Sequence, residues 1–510
     1  MKSRVLFCMV MLLSVMSFAQ ETAPPPPGDE PLPVSLKQVI DLALKNNLDI
    51  TIEKFNPEIS DTRVKFEESK FEPFLASVLN QRDNTFPTGS VLVGSQAINT
   101  KDFTYNFTWD HKLQTGTSYS LIFNNSRIET NQSFTSVNPR FDSSLFGSVT
   151  QPLMRGFGID VTKAPLHIAE QNRLASDERL RQRVLDIALQ VEQAYWDLVF
   201  FRGQMDVRQQ SLASAQDLYE NNKKQVEVGT MAPLEIVVAE AEVAAREQDI
   251  ITTENLIGNT EDRLRNLVST EKQADRWDMK FVPSEEPMVR PLSVTADEAV
   301  TKALANNPDL KALEMDLASR RLSTKFFENG TKPQVDLQAQ FGWTGLGGDT
   351  LLLDDSVFPP IVIGTTPGGY GDALSNLFSN GTWAVGLVIG LPIGNRAAEA
   401  DYVRADLQEK QSEKILESTR QQLIFNVRTS MRNLQADVKR LNASRASRIL
   451  QEKKLDAEKK KLAVGLSTNH VVLDFQDDLA QAQSEELLAK VDYEKNLAQL
   501  ERYMGENLPQ

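Results

Sequence analysis

The chain has 510 residues, with 55 Lys and Arg against 70 Asp and Glu, and a single cysteine, Cys8. A net charge of −15 disfavours nucleic acid as a partner, and no basic stripe with interleaved aromatics reverses that. His111, His167 and His470 are the only histidines, and there is no HExxH, phosphate-binding glycine loop or nucleophile elbow. No metal, cofactor or enzyme chemistry is expected.

The chain opens with MKSR and then about fifteen apolar residues that end at Ser17-Phe18-Ala19. Residues 1–19 are predicted to be an export signal cut after Ala19, the alternative being an uncleaved N-terminal anchor. Cys8 lies inside it, so the expected mature chain has no thiol for a disulfide or a lipid anchor. Residues 20–34, which contain APPPP, read as an extended proline-rich leader. No later segment holds eighteen uninterrupted apolar residues. A mature chain that crosses a membrane would therefore have to do so as a closed β-barrel.

From Ser35 the sequence repeats itself. SLKQVIDLALKNNLDI returns as TADEAVTKALANNPDL from Thr295, with Asn46-Asn47 over Asn306-Asn307. Further on, Pro73 falls over Pro333, VTQPL over IGLPI, and Gly229 over Gly465. Four ordered matches with changing offsets indicate duplication followed by loop insertion and deletion. The predicted division is a first repeat 35–275, a linker 276–293, a second repeat 294–502 and a tail 503–510. Each repeat reads as a short helix, a helix, a strand, a loop, a strand, a very long helix, a Gly-containing break and another long helix.

The span from about Thr162 to Val228 would reach about 100 Å as a helix. Val184, Ile187, Val191, Tyr195 and Leu198 recur at threes and fours, as do Ile424, Val427, Met431, Leu434, Val438 and Leu441. An antiparallel coiled-coil stalk explains these helices but not the strands. Phe103, Tyr105, Phe107 and Trp109 alternate with Thr104, Asn106, Thr108 and Asp110. Tyr119, Leu121 and Phe123 form another alternating set, as do Leu337, Ala339, Phe341 and Trp343, and Trp383, Val385, Leu387 and Ile389. Such two-faced segments suit an outer-membrane barrel, although a water-soluble sandwich shares the alternation. The stretches 86–100 and 344–381, rich in Gly, Asn, Ser and Thr, suit extracellular loops. Four clear strands cannot close a membrane barrel alone, so oligomerisation is expected.

The doubled helical element, TQPLMRGFG at Thr150–Gly158, VEQAYWDL at Val191, and the breaks VGT…LE and VGL…VLD together resemble the outer membrane efflux protein family, the TolC family. The resemblance covers nearly the whole mature sequence. It implies a mainly helical fold with a membrane β-barrel, namely a trimeric outer-membrane barrel continued by a long periplasmic α-helical barrel. It further implies that each subunit gives four strands to a twelve-stranded barrel. The homotrimer would sit in outer-membrane lipid as the exit duct of a tripartite efflux or type I secretion system. Its partners would be a periplasmic adaptor and an inner-membrane transporter of RND, ABC or MFS type. A non-channel coiled-coil scaffold, periplasmic or secreted, is the rival reading.

Phe341, Trp343 and Trp383 are then expected to face lipid or its interface. The sequence departs from the family plan at 102–127, where two further strand patterns appear between strands near 71–82 and 144–153. An enlarged extracellular hairpin is the favoured expectation, because the second repeat has no counterpart; extra barrel strands are the alternative. The resemblance also assigns the helix breaks to the periplasmic tip, with adaptor contact at Gly229, Thr230, Gly465 and Leu466. It places Glu235 and Asp474 at the constriction, with Val471 where a companion acid would stand. Ser467 replaces a basic gate residue, and Leu462 replaces its tyrosine companion. Glu235 and Asp474 also read as ordinary acids near a helix start.

Overall fold

An asparagine that ends one helix and starts the next sets the angle at the head of each repeat. The computed structural model describes residues 32–89, 96–268, 280–290, 294–354, 356, 357 and 360–506. The predicted signal with Cys8, most of the leader and parts of the linker and tail lie outside the described residues. The first repeat runs β1 (Leu32–Val34), α1 (Leu36–Asn46), α2 (Leu48–Ser69), β2 (Phe74–Pro87), β3 (Ala97–Lys112), β4 (Ser118–Thr130), β5 (Val137–Pro152), α3 (Ile159–Thr162), α4 (Ala164–Glu227) and α5 (Leu234–Val268). After β6 (Phe281–Pro283) come α6 (Ala296–Asn306), α7 (Pro308–Gly330), β7 (Gln334–Asp354), β8 (Ile361–Thr366), α8 (Tyr370–Ser375), β9 (Gly381–Gly390), α9 (Arg396–Ala463) and α10 (Asn469–Met504).

Ser35 and Gln38 form a reciprocal cap on α1, and Thr295 and Glu298 do the same on α6. Asn47 then accepts the Ile50 N–H at 3.2 Å and donates to the Leu267 carbonyl at 3.0 Å. Its counterpart Asn307 accepts from Leu310 at 3.2 Å and donates to the Tyr503 carbonyl at 3.0 Å. Each asparagine thus caps a short helix pair and ties it to the end of its repeat's last helix. Two apolar cores form there. Ile40, Ile187, Tyr195 and Leu264 pack in the first, and Leu310, Val427, Leu434 and Leu500 in the second. Tyr195 of the VEQAYWDL stretch donates to the Val34 carbonyl at 3.1 Å and accepts from the Glu285 N–H at 3.3 Å. It holds β1 to the residues after β6, and β1 and β6 pair in parallel.

Helices α4 and α9 have 64 and 68 residues, so each is about 100 Å long. They pair with α5 and α10 as two antiparallel hairpins, and α10 also packs on α4. At Gly203 the approach is close enough that an added Cβ would stand 2.5 Å from Leu487 Cδ2. No described helix is long and apolar enough to cross a membrane.

The remaining strands form one antiparallel sheet in the order β2-β3-β4-β5-β7, with β9 on the lower half of β7 and β8 on its far end. The expectation of an extracellular hairpin at 102–127 is overturned. β3 pairs with β2 from Ala97 to Asp110, and β4 pairs with β5 from Ser118 to Ile128. The turn between them points toward the helices. Gly116, at φ +93°, packs so closely on the Gly156 carbonyl that a Cβ would lie 2.6 Å from it. His111 fixes the same end, bonding the Phe71 carbonyl at 2.9 Å and the Tyr119 hydroxyl at 2.7 Å. A hairpin standing above a barrel would leave the outer edge of each strand without ladder partners; inserted between β2 and β5, the hairpin has both edges paired. The described residues of each chain therefore supply six through-going strands, not the four that the resemblance implied.

The reading of 344–381 as loop is also corrected. The upper half of β7, all of β8 and α8 lie within it. Its glycines serve close packing: a Cβ on Gly345 would strike the Ala373 carbonyl, and one on Gly347 the Ala373 N–H.

Candidate functional site

Two places carry the candidate residues: the turns at the far ends of the long hairpins, and the two faces of the sheet. At the first, α4 ends in a Schellman turn. The Thr230 N–H donates to the Gln225 carbonyl at 2.9 Å and the Gly229 N–H to Val226 at 3.0 Å. α9 ends identically, Leu466 donating to Lys461 at 2.9 Å and Gly465 to Leu462 at 3.0 Å. Gly229 at φ +78° and Gly465 at φ +75° occupy the left-handed conformation that this turn requires.

Seven residues before each glycine stands a buried polar side chain that sequence reasoning missed. Asn222 donates to the Glu235 carbonyl at 3.3 Å and accepts from Asn469 Nδ2 at 2.8 Å, joining the two hairpins. Its counterpart Glu458 accepts from Ser467 Oγ at 2.7 Å and pairs with Lys461 at 2.8 Å. Lys461, and after it the Ser467 hydroxyl, holds the Glu458 carboxyl below the usual glutamate range. The only sequence signal for this pair was the repeat itself, which sets Asn222 over Glu458 at the same offset as the glycines.

Further along, Arg246 of α5 bonds both Glu242 and Asp477 of α10, a second link between hairpins absent from the sequence reading. Burial pushes the Asp477 carboxyl up, and Arg246 pulls against that shift. Of the predicted constriction residues, Glu235 lies exposed in the first turn of α5 and Val471 is half-buried near the start of α10. Asp474 is exposed, with His470 Nε2 at 3.9 Å one helical turn away. Ser467 is held by Glu458. Thr230 and Leu466 are both exposed at the turns. Among the described residues no three His, Cys, Asp or Glu side chains converge to hold a metal.

The sheet has two unlike faces. Trp383, Phe341, Gly147, Leu121, Trp109 and Leu75 are successive partners across all six strands and so lie on one face. Phe103, Tyr105, Phe107 and Trp343 share it. Thr382, Gly342, Phe146, Ile122, Thr108 and Ala76 run across the other face, which also carries Asn106, Ser120, Ser148, Thr150, Gln338 and Gln340. On the aromatic face Phe341 and Trp343 meet edge-on at 5.5 Å, and Trp343 meets Phe378 at 5.6 Å. Trp383, on the edge strand, is 81% exposed. The polar atoms on that face are covered toward the far end, where Asn125 is buried beneath Tyr370 and accepts from its hydroxyl at 2.7 Å and from Ser143 at 2.9 Å.

A strand set greasy on one side and hydroxyl- and amide-lined on the other, joined to helical hairpins about 100 Å long, defines the class of an outer-membrane duct with a helical extension. The sequence profile described as "Outer membrane efflux protein" matches residues 123–270 and 299–506. Among solved structures, the chain is similar to the CmeC outer-membrane channel of Campylobacter jejuni. Identity is 14%, the TM-score is 0.67, and 92% of this chain and 86% of that one are covered. It is also similar to the VceC outer-membrane protein of Vibrio cholerae (15%, TM-score 0.63, 92% and 96% covered). A third is the open MtrE outer-membrane channel of Neisseria gonorrhoeae (18%, TM-score 0.62, 92% and 89% covered). No curated protein sequence matches significantly. The chain belongs to the outer membrane efflux protein family, a family of trimeric outer-membrane channels with a periplasmic helical extension. It is an outer-membrane exit duct.

Proposed function

We propose that this duct is a passive conduit closed at its periplasmic end by the two hairpin turns. A periplasmic adaptor grips the turns at Gly229, Thr230, Gly465 and Leu466, and an inner-membrane transporter supplies the energy. The observation that carries this reading is the pairing of two identical glycine turns at one end, joined through Asn222 and Asn469. In a threefold ring a residue that faces the axis at a closed end stands beside its own copies. Asp474 then contributes three carboxylates around the axis, with Val471 adding no charge and Ser467 occupied by Glu458 instead of guarding the gate. Such a ring attracts cations and resists anions. Phe341, Trp343 and Trp383 face lipid or its interface. The chain contributes shape and charge, and no covalent or proton-transfer step is required of it.

Asp474→Asn removes three charges from the trimer while keeping side-chain size. In planar bilayers it is expected to lower cation preference and block by multivalent cations, more strongly at low salt. Glu235→Gln is the comparison. A larger change there moves the selective ring to the first-repeat turn, and no change with Asp474→Asn at low salt removes Asp474 from the pore axis.

A further inference from the structure

We propose that three copies close a barrel of eighteen strands, β9 of each copy pairing with β2 of the next, so that the outer mouth is wider than four-stranded subunits would make it. This rests on the trimeric channel reading above. One edge of the sheet is β2, and the other is β9 with β8 beyond it on the far end of β7. β2 runs away from the helices and β9 runs back toward them, so an edge-to-edge meeting of neighbouring copies is antiparallel, like every other pairing in the sheet. The faces match as well. Leu75 and Leu79 on β2 lie on the same side as Trp383, Val385, Leu387 and Ile389 on β9. A second copy continues the apolar face, with Ser77 and Gln81 as its polar members on β2, and on the opposite face sets Ala76 and Val78 beside the small and apolar Ala384, Gly386 and Val388. An uncovered edge of this length in lipid would leave a row of backbone groups unsatisfied, which only closure removes.

The register supports closure at this strand number. Following the partners from Trp383 through Phe341, Gly147, Leu121 and Trp109 ends at Leu75. That walk starts near the far end of β9 and finishes at the helix-side end of β2. Seating the next copy's Leu75 beside Ile389, at the helix-side end of β9, shifts the register by about six residues per copy and about eighteen around the ring, which gives a strand tilt of about 35°. Seating it beside Leu391 gives about 43°, and both fall within the range of membrane barrels. Both shifts are even, so no side chain changes face. At a strand spacing of about 4.8 Å and these tilts, eighteen strands enclose about 34–38 Å of backbone diameter, against about 23–25 Å for twelve. The inserted hairpin β3–β4 lines the added wall with Thr104, Asn106, Thr108, Ser120 and Asn124, with Asp102 toward its far end and Asp110 and Lys112 toward the helices.

The test uses the full chain in outer membranes. Leu75→Cys is combined with Ile389→Cys or with Leu391→Cys and treated with a short thiol cross-linker. Separately, Thr108→Cys and Phe107→Cys are labelled singly with a water-soluble maleimide. The expected result is cross-linked dimers and trimers from one of the two pairs. Labelling should also be about tenfold faster at Thr108→Cys than at Phe107→Cys, because the second site faces lipid. A conducting trimer with no β2–β9 cross-link at either register, and with equal labelling at both β3 sites, overturns the eighteen-stranded barrel while leaving the channel reading intact. A chain that forms no trimer overturns both.

Discussion

The two repeats agree closely at their helical heads and part in the sheet. Asn47 and Asn307 make the same two hydrogen bonds, one to the third residue on and one to a distant backbone carbonyl, all within 3.0–3.2 Å. The first repeat then supplies four strands to the sheet, while the second supplies β7 and β9 with the β8–α8 excursion between them. The heads form the joint on which both hairpins hang, and a change in one would tilt it against the other. A barrel wall tolerates a strand pair inserted between two neighbours, because the insertion restores every ladder bond it breaks. Duplication survives where geometry is shared, and is overwritten where only pairing is required.

The largest difference between the heads should appear at Arg502. This buried arginine pairs with Asp186 at 2.6 Å and Asp309 at 2.9 Å, joining α10, α4 and α7. At the same offset from the tie to the asparagine, the first repeat has the exposed Asn266. Arg502→Ala should cost about 3 kcal/mol by leaving two half-buried carboxylates without their cation, whereas Asn266→Ala should change stability by less than about 0.5 kcal/mol. Denaturant midpoints of the detergent-solubilised protein measure both, and equal losses would erase the asymmetry. Next come the hinge asparagines. Asn47→Ala and Asn307→Ala should each cost about 2 kcal/mol, a cap and a buried hydrogen bond together, and should match within experimental error. A twofold disparity would mean that only one head bears the angle between helices.

The smallest effect concerns the turns, where the counterparts Asn222 and Glu458 differ in charge. Because the Glu458 carboxyl sits below its ordinary range, its contribution is complete above the unfolded value, about 4.3, and is lost as pH falls through the lower folded value. Amide exchange at 464–470, corrected for intrinsic rates, should therefore rise on acidification below about pH 4, with no matching rise at 228–233. Glu458→Gln should abolish that acid response. Its persistence would place the acid sensitivity elsewhere.

Much of this architecture was legible in the sequence. The Asn-Asn pairs, the capping residues Ser35 and Thr295, and Gly229 and Gly465 are local signals, and each marks a backbone event within a few residues. The alternating aromatics of β3 were legible as a strand too. Its neighbours were not, since pairing joins Leu75 to Trp109 and Trp109 to Leu121 through geometry that no short window contains. The glycines at 345 and 347 misled in the opposite direction, because open composition looks like loop when its purpose is to let another backbone come close. At the turns, the acids that family resemblance singled out are exposed, whereas the residues that join the hairpins, Asn222, Asn469, Arg246 and Asp477, are ordinary polar residues on charged helices. Nothing in their local pattern distinguishes them from a solvated face.

The bond between Asn222 and Asn469, 2.8 Å long, is made by two neutral amides. Such a joint titrates nowhere between acid and alkali and draws little of its strength from long-range attraction, so brine leaves it in place. The arginine–carboxylate contacts around it are weakened by added salt. A periplasm that swings in acidity and osmolarity would thus loosen the ionic stays of the duct while the amide joint between its hairpins stays fixed.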